Sequence, residues 1–499
     1  MTHSSLPSSF RCQRQRQRRH AQTQTPRRRP RPRTRPRPSF SFSFPLLAIT
    51  LALSGASAEQ NLTTAQVDIV VQRLNESALQ SWEVGTQQQA LIELTTPSFS
   101  VLNDSFIPPS QSLPSSLSPV IDSITQVIQN KTALVQSQSN LTSPQPFWPE
   151  DGSAADPASN GVAALIANWT GQEGVTGVDY DGAANEQMEY LWEKVPRTED
   201  GALSHRVSQV QLWSDFVYMV PPFLAYYGVL TSNRTMVEEA YNQIKLYRSY
   251  LLSNSNSDSD DDDDNHQLWQ HVVLGSDFED LGLWSTGNGW VAAGMLRVLG
   301  TIQNSEYGNA MKSEIKDLRN WVDEIHDGMY SYMRDDGMFH NYANDSSSFV
   351  DAASAALLAS TVYRHALLTS TYRYLPQAEF VRRALWAPTT APEASFSADP
   401  SFSQNTSFVD ADALTNMTHF DAQGWLTPVV NPHSFSQEGE KSAEAQAFVV
   451  MMYAAWRDWE QEGAVGANAA RRARGDVPGF GVMIGVIVLG VGVGWGLGV

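Results

Sequence analysis

The feature that most constrains this chain is a repeated alternation of apolar, helix-period segments with short polar turns. Apolar residues recur at three- and four-residue spacing over about 157–168, 181–193, 206–229, 235–252, 287–303, 308–327, 348–368, 372–386 and 441–460. Upstream, 65–94 reads as one or two amphipathic helices. Residues 95–150 are rich in Ser, Pro and Thr, a decorated surface excursion that still contains the helix-like SPVIDSITQVIQNKTALV. No comparable series of alternating strands with Asn-Gly or Asp-Gly turns is present. The expectation is an all-α domain of about six helical hairpins, with inner helices apolar on most sides and outer helices amphipathic.

The two ends read as addresses rather than fold. Residues 1–58 hold 12 Arg and no Lys, Asp or Glu, and finish in the apolar run PLLAITLALSG and Ala56-Ser57-Ala58, as a signal peptide with an unusually long Arg-rich leader does. The tail 478–499 is continuously apolar and follows small residues at Gly466, Ala467 and Asn468 and a polar stretch, AARRARGD, within a spacer at 462–477. That order suits a glycolipid-anchor signal, and a single spanning helix is the alternative. Ten Asn-x-Ser/Thr sequons, at Asn61, Asn75, Asn103, Asn130, Asn140, Asn168, Asn233, Asn344, Asn405 and Asn416, fit a glycosylated, secreted protein at the cell surface or wall. Membrane contact is then expected only through the tail or its lipid anchor.

Composition excludes several functions. The only cysteine, Cys12, lies in the leader, so residues 59–499 have no disulfide and no thiol chemistry, and a large core must supply stability. Of 34 basic residues 12 precede residue 59, leaving 22 against 53 acidic and a net charge of −31. Such a surface repels nucleic acid, and any anionic substrate needs a local pocket of donors. The acidic run at 258–264, DSDDDDD, lacks the spaced ligands, glycine and distal Glu of a calcium loop and reads as a solvated insertion. No glycine-rich phosphate loop stands out, and no metal or organic cofactor is implied.

Chemistry concentrates in QLWSDFVYMVPPFLAYYGVL (211–230), which places Asp215 inside an apolar run. Read as a helix, Val210, Trp213, Val217 and Val220 share one face, and Pro221-Pro222 ends or kinks it. A carboxylate there either finds donors, as a cap or an ion-pair partner, or keeps its proton, which is the state a general acid requires.

Several stretches, in order, resemble the unsaturated glucuronyl and rhamnogalacturonyl hydrolases, glycoside hydrolase families 88 and 105 of the six-hairpin glycosidases. They are VPRTEDGALSHR (195–206), WSDFVYMVPPFLAYYG (213–228), LWQHVV (268–273), LWSTGNGWVAAGMLRVL (283–299), DDGMFHNY (335–342) and SAEAQAFVVMMYAAWRDW (442–459). The similarity spans about 151–460 and is nearest to the secreted fungal branch. It implies an (α/α)6 toroid, with 59–150 supplying N-terminal helices and 151–461 the remainder. It also implies an unusual reaction, hydration of the C4=C5 double bond that a polysaccharide lyase leaves on a terminal uronic acid, after which the hemiketal rearranges and expels the sugar.

By position, the resemblance makes Asp215 the general acid/base and gives His271 a place in the substrate site. It gives Trp284 and Trp290 the role of aromatic walls, although either taken alone reads as core. Asp156 falls in the window of the family's second carboxylate, with Asp151 and Asp181 as competitors and Gly161 opening the next helix. One departure stands out: bacterial members commonly carry an arginine where this chain has Thr286, and a threonine cannot make a bidentate charged pair. His205 and Arg206 are the candidates to take over. The expected substrate is an acidic, pectin-derived oligosaccharide. A non-catalytic glycan-binding protein and a glycosidase for saturated sugars, both on the same fold, are the alternatives.

Overall fold

Helices of the expected kind form wherever the 3.6-residue period is clear. The computed structural model describes residues 61–253, 267–387, 414 and 417–467, all within one compact unit. The expectations for 1–58, 258–264, 478–499, Asn405 and Asn416 lie outside the described residues. Six nearly all-buried helices alternate along the chain with six that bury one stripe. The buried set is α2 (Ser81–Thr95), α4 (Gly161–Trp169), α8 (Pro221–Leu230), α10 (Ser285–Gln303), α12 (Ala352–Thr369) and α14 (Ala443–Gln461). The striped set is α1 (Thr64–Ser77), α3 (Ser118–Ser137), α6 (Tyr180–Glu193), α9 (Arg234–Leu251), α11 (Lys312–Ser331) and α13 (Leu375–Leu385). Helix α11 shows why the outer helices stay outside: Leu318, Val322, Ile325 and Met329 are buried along one face.

The inner helices pack in chain order, α2 on α4, α4 on α8, α8 on α10, α10 on α12 and α12 on α14, and α14 returns to α2. Each outer helix lies against an inner one, and α1 pairs with α14, so the beginning and end of the described domain close the ring. The molecule is an (α/α)6 toroid, and the segment 95–150 contributes α3 as one of its outer helices. Among the described residues no helix is long and apolar enough to cross a membrane.

The expected helix over 206–229 is the main departure. Its first part is a loop and a two-residue strand, β1 (Leu212–Trp213), and the rest is split into α7 (Phe216–Met219) and α8, which starts on Pro221-Pro222 at its first two positions. An almost continuous apolar run has no period to report where the chain stops being helical. Helix α10 can approach α7 closely because Gly294 has no side chain: a β-carbon there would overlap the carbonyl of Val217. Gly161, where α4 begins, likewise faces the ring of Phe223.

At one end of the ring the loops join through a chain of small backbone pairings. Ser153 pairs with Arg206, and β1 pairs with β2 (Val272–Val273). Val272 then pairs with Asp280, and Trp284 with Tyr342. Strand β3 (Phe339–His340) pairs with β4 (Val350–Asp351), and β5 (Val429–Asn431) with β6 (Ser434–Gly439). Ala352 N–H donates to Pro428 O and links the last two pairs. This crown gathers residues from five loops into one place.

Candidate active site

The crown brings Asp156 and Asp215 together, each beside a histidine. Asp156 starts a single 3-10 turn, Asp156–Asn160, that leads into α4. Ala154 N–H donates to His205 O at 2.7 Å, so His205 Nε2 comes within 3.4 Å of Asp156 Oδ1. Asp215 occupies the position that caps α7, without a side-chain bond to that helix. Ser214 N–H donates to His271 O at 2.9 Å, and this aligns His271 Nε2 with Asp215 Oδ2 at 3.6 Å. The other imidazole nitrogen, Nδ1, lies 2.9 Å from Asp280 Oδ2, which also accepts from Tyr342 Oη at 2.7 Å.

Aromatic rings separate and cover the two pairs. Trp213 stacks on His205 at 5.1 Å and meets His271 edge-on at 5.2 Å. Phe435, from β6, sits 4.5 Å from His271 and 6.1 Å from Trp213. Phe278, 40% exposed, forms the rim beside Trp213 and Phe435. The guanidinium of Arg206 lies over the Trp213 ring at 5.5 Å and forms no ion pair among the described residues. A third carboxyl, Glu444, receives Trp82 Nε1–H at 2.5 Å and lies near enough to Asp156 and Asp215 to feel their charge.

These surroundings give the two carboxyl groups opposite states. Burial pushes the Asp156 pKa well above the ordinary carboxylate value, and the charges of Asp151 and Asp215 push the same way; the Ser153 hydrogen bond and Arg206 oppose them only in part. Burial also opposes ionisation of Asp215, but the hydrogen bond and charge of His271 outweigh it and hold the pKa below the ordinary value. His271 is raised: burial acts against its charge, and Asp215 and Asp280 more than compensate. His205, buried without a comparable partner, falls to about 3 and is neutral, so its contact with Asp156 is no salt bridge. Burial and charge therefore favour the proton on Asp156 over Asp215, the reverse of the expectation for Asp215.

Not every expected residue reaches the site. Trp290 is 1% exposed, packed between Tyr218 at 4.3 Å and Phe448 at 4.7 Å, and belongs to the core. Trp284 is also buried; its ring backs His271 at 4.4 Å and its indole N–H donates to Asn341 Oδ1 at 3.0 Å. Thr286 is fully buried and donates its hydroxyl to Asp351 Oδ2 at 2.8 Å. That hydroxyl ties the start of α10 to the cap of α12, since Asp351 also accepts from the N–H groups of Ala353, Ser354 and Val430. Of the competitors to Asp156, Asp151 is close and accepts from Ser81 Oγ at 2.5 Å, whereas Asp181 is exposed and bound to Asn168 and Asn185. Sequence reasoning missed Asp280, Tyr342, Phe435 and Glu444 and misread Trp213 as one face of a helix. Tyr342 and Glu444 did lie inside recognised motifs, but Asp280 and Phe435 carry no such signal.

The ring of six helical hairpins is the six-hairpin glycosidase fold. Residues 159–395, just under half of the chain, match the sequence model of Glycosyl Hydrolase Family 88, which indicates a glycoside hydrolase. Among solved structures, the fold is similar to that of a possible member of the GH105 family from Salmonella enterica, at 14% identity and TM-score 0.54, covering 79% of this chain and 94% of that one. A possible GH105 member from Klebsiella pneumoniae, at 17% identity and TM-score 0.54, is similar over 79% of this chain and 93% of its own. No curated protein matches the sequence.

Proposed function

We propose that this glycoside hydrolase hydrates the C4=C5 double bond of a terminal unsaturated uronic acid on a short, lyase-generated oligosaccharide of the pectin type. What supports the reading is that two carboxyl groups meet at one end of the ring, Asp156 pushed toward its protonated form and Asp215 toward its ionised form. Hydration of a vinyl ether needs both states at once. Asp156 delivers its proton to C4, and Asp215 takes a proton from the water whose oxygen bonds to C5. The product is a hemiketal at C5. It opens to a ketone and a hemiacetal at C1, and collapse of the hemiacetal breaks the bond to the leaving sugar, with one water consumed. His271 holds Asp215 ionised, and Trp213 and Phe435 supply ring faces for the sugar.

Arg206 takes the place that Thr286 leaves open. Its guanidinium lies over the Trp213 ring and forms no ion pair among the described residues, so it can pair with the substrate carboxylate. In a chain this acidic, an anionic sugar needs that local cation. We also propose that the protein is secreted and glycosylated, supported by exposed sequons at Asn75, Asn130, Asn140 and Asn344; a mass shift on enzymatic deglycosylation tests it.

The reaction is tested by following the absorbance of the conjugated double bond in unsaturated oligouronides. Loss of absorbance with wild type, abolished in Asp215→Asn and Asp156→Asn, is expected. Release of reducing sugar from saturated glycosides alone would replace this reading with ordinary glycoside hydrolysis, for which the same acid and base would serve. Methyl-esterified substrate separates the arginine: Arg206→Met should raise KM about tenfold or more on the free uronate and leave the ester unaffected.

A further inference from the structure

The site contains two buried histidines against one tryptophan, and they behave oppositely. His205 and His271 both touch Trp213 and are 3% and 1% exposed. Each also has an aspartate near Nε2, Asp156 for one and Asp215 for the other. What His271 has and His205 lacks is a second carboxylate behind the ring. His205 Nδ1 is buried without a hydrogen-bond partner, whereas His271 Nδ1 is 2.9 Å from Asp280 Oδ2.

Asp280 is unusually well fixed for a loop residue. Its backbone pairs in both directions with Val272, at 2.7 and 3.0 Å. Its Oδ1 accepts from Gly282 N–H at 3.0 Å, and its Oδ2 accepts from Tyr342 Oη at 2.7 Å as well as from His271. On the far side, His271 Nε2 has no acceptor nearer than Asp215 Oδ2. Trp284 and Phe435 close the remaining sides of the ring without charge, and the other titratable group acting on it is His205.

We propose that Asp280, clamped by Tyr342 and the Gly282 amide, is a positioning residue that keeps His271 an imidazolium with Nε2–H directed at Asp215, and so makes Asp215 the carboxylate of the catalytic pair. Asp280 touches no substrate; it acts through His271. The arrangement also explains why one histidine–aspartate pair stays neutral and the other becomes an ion pair: a single added charge, within about 4–6 Å, shifts a titration by roughly 1–3 units. The inference concerns the site beneath the proposed hydration and can be read without turnover.

The test is a histidine titration of the full chain labelled at the imidazole Cε1, with the His271 resonance assigned by its loss in His271→Gln. Wild-type His271 should stay charged above the ordinary histidine range, and in Asp280→Asn its midpoint should drop by about 1–3 pH units, with Asp280→Glu restoring much of the shift. An unmoved midpoint in a folded Asp280→Asn overturns the proposal. In the unsaturated-uronate assay, kcat/KM of the same variant should fall as pH rises through the lowered His271 midpoint, where wild type keeps its plateau, with KM within about threefold of wild type. A fall in kcat by the same factor at every pH would make Asp280 merely structural. A wild type inert on these substrates, with the titration shift intact, sinks the reaction and leaves the clamp standing.

Discussion

Replacing Thr286 with valine separates a structural from a substrate-binding role at a position that the sequence led one to expect near the substrate. The side chains are nearly isosteric, so the change removes one hydroxyl and leaves the packing volume alone. The hydroxyl donates to Asp351 Oδ2 at 2.8 Å in a fully buried setting. A hydrogen bond to a charged group contributes roughly 1.5–3 kcal/mol net. Asp351 keeps three backbone donors, and its pKa is raised, chiefly by burial, so the loss should fall near the lower end, about 1–2 kcal/mol. For a domain of this size, with an unfolding entropy of about 2 cal/mol/K per residue, that is a Tm decrease of about 1–3 °C. Scanning fluorimetry and steady-state kinetics on the same preparation check it: Tm should fall while KM stays within about twofold. A KM increase of tenfold with an unchanged Tm would refute the assignment, because it would mean that the hydroxyl meets substrate rather than Asp351.

Activity should be bell-shaped in pH. Asp215 must be ionised and its pKa is depressed, so the acid limb lies below 3.8; Asp156 must be protonated and its pKa is raised, so the basic limb lies well above that value. A single carboxyl serving as both acid and base, with no second group of raised pKa, would give no such plateau. Stability carries the opposite signature at Asp156: between 3.8 and its raised pKa the folded chain binds a proton that the unfolded chain releases, so its contribution is lost as pH rises. Asp156→Asn should therefore abolish turnover yet raise Tm more at pH 7 than at pH 4, and a lower Tm at both values would contradict the raised pKa. Trp290→Ala should cost about 3–5 kcal/mol as a core truncation, read by denaturant unfolding, and Trp213→Ala should raise KM severalfold with a smaller stability loss.

The toroid was legible because each hairpin needs one stripe-buried and one all-buried helix, and both patterns survive in single segments such as α11 and α10. The crown was not legible. Its strands are two residues long, except in β5 and β6, and a window of two cannot distinguish alternation from chance. Residues 211–230 failed for the opposite reason: uniform apolarity has no period, so Trp213 was indistinguishable from a helix face. The same ambiguity covered the tryptophans. Trp213, Trp284 and Trp290 all sit in apolar stretches, and which of them meets the cleft is decided by pairings between residues about sixty positions apart, such as Leu212 with Val273. Asp215 and His271 were found through motifs, but their states were not, since those depend on Asp280 and on the depth of burial.

Charge in this site is arranged by number rather than by sign alone. Asp156 and Glu444 are both driven toward the neutral form, burial being the largest cause in each. Asp215 and Asp280 are both held ionised by one imidazolium shared between them. Two of these groups are driven toward neutrality and two share the His271 cation, which leaves Arg206, in no ion pair among the described residues, as the cation for an anionic sugar under the proposed reaction. Removing Arg206 or the His271 charge should therefore weaken anionic substrates through different observables. Loss of Arg206 should appear in KM and disappear with the methyl ester; loss of the His271 charge should appear in the acid limb and persist with either substrate. If both variants changed KM alone, and by the same factor, the two cations would be serving one carboxylate, and Asp215 would have to owe its charge to another partner.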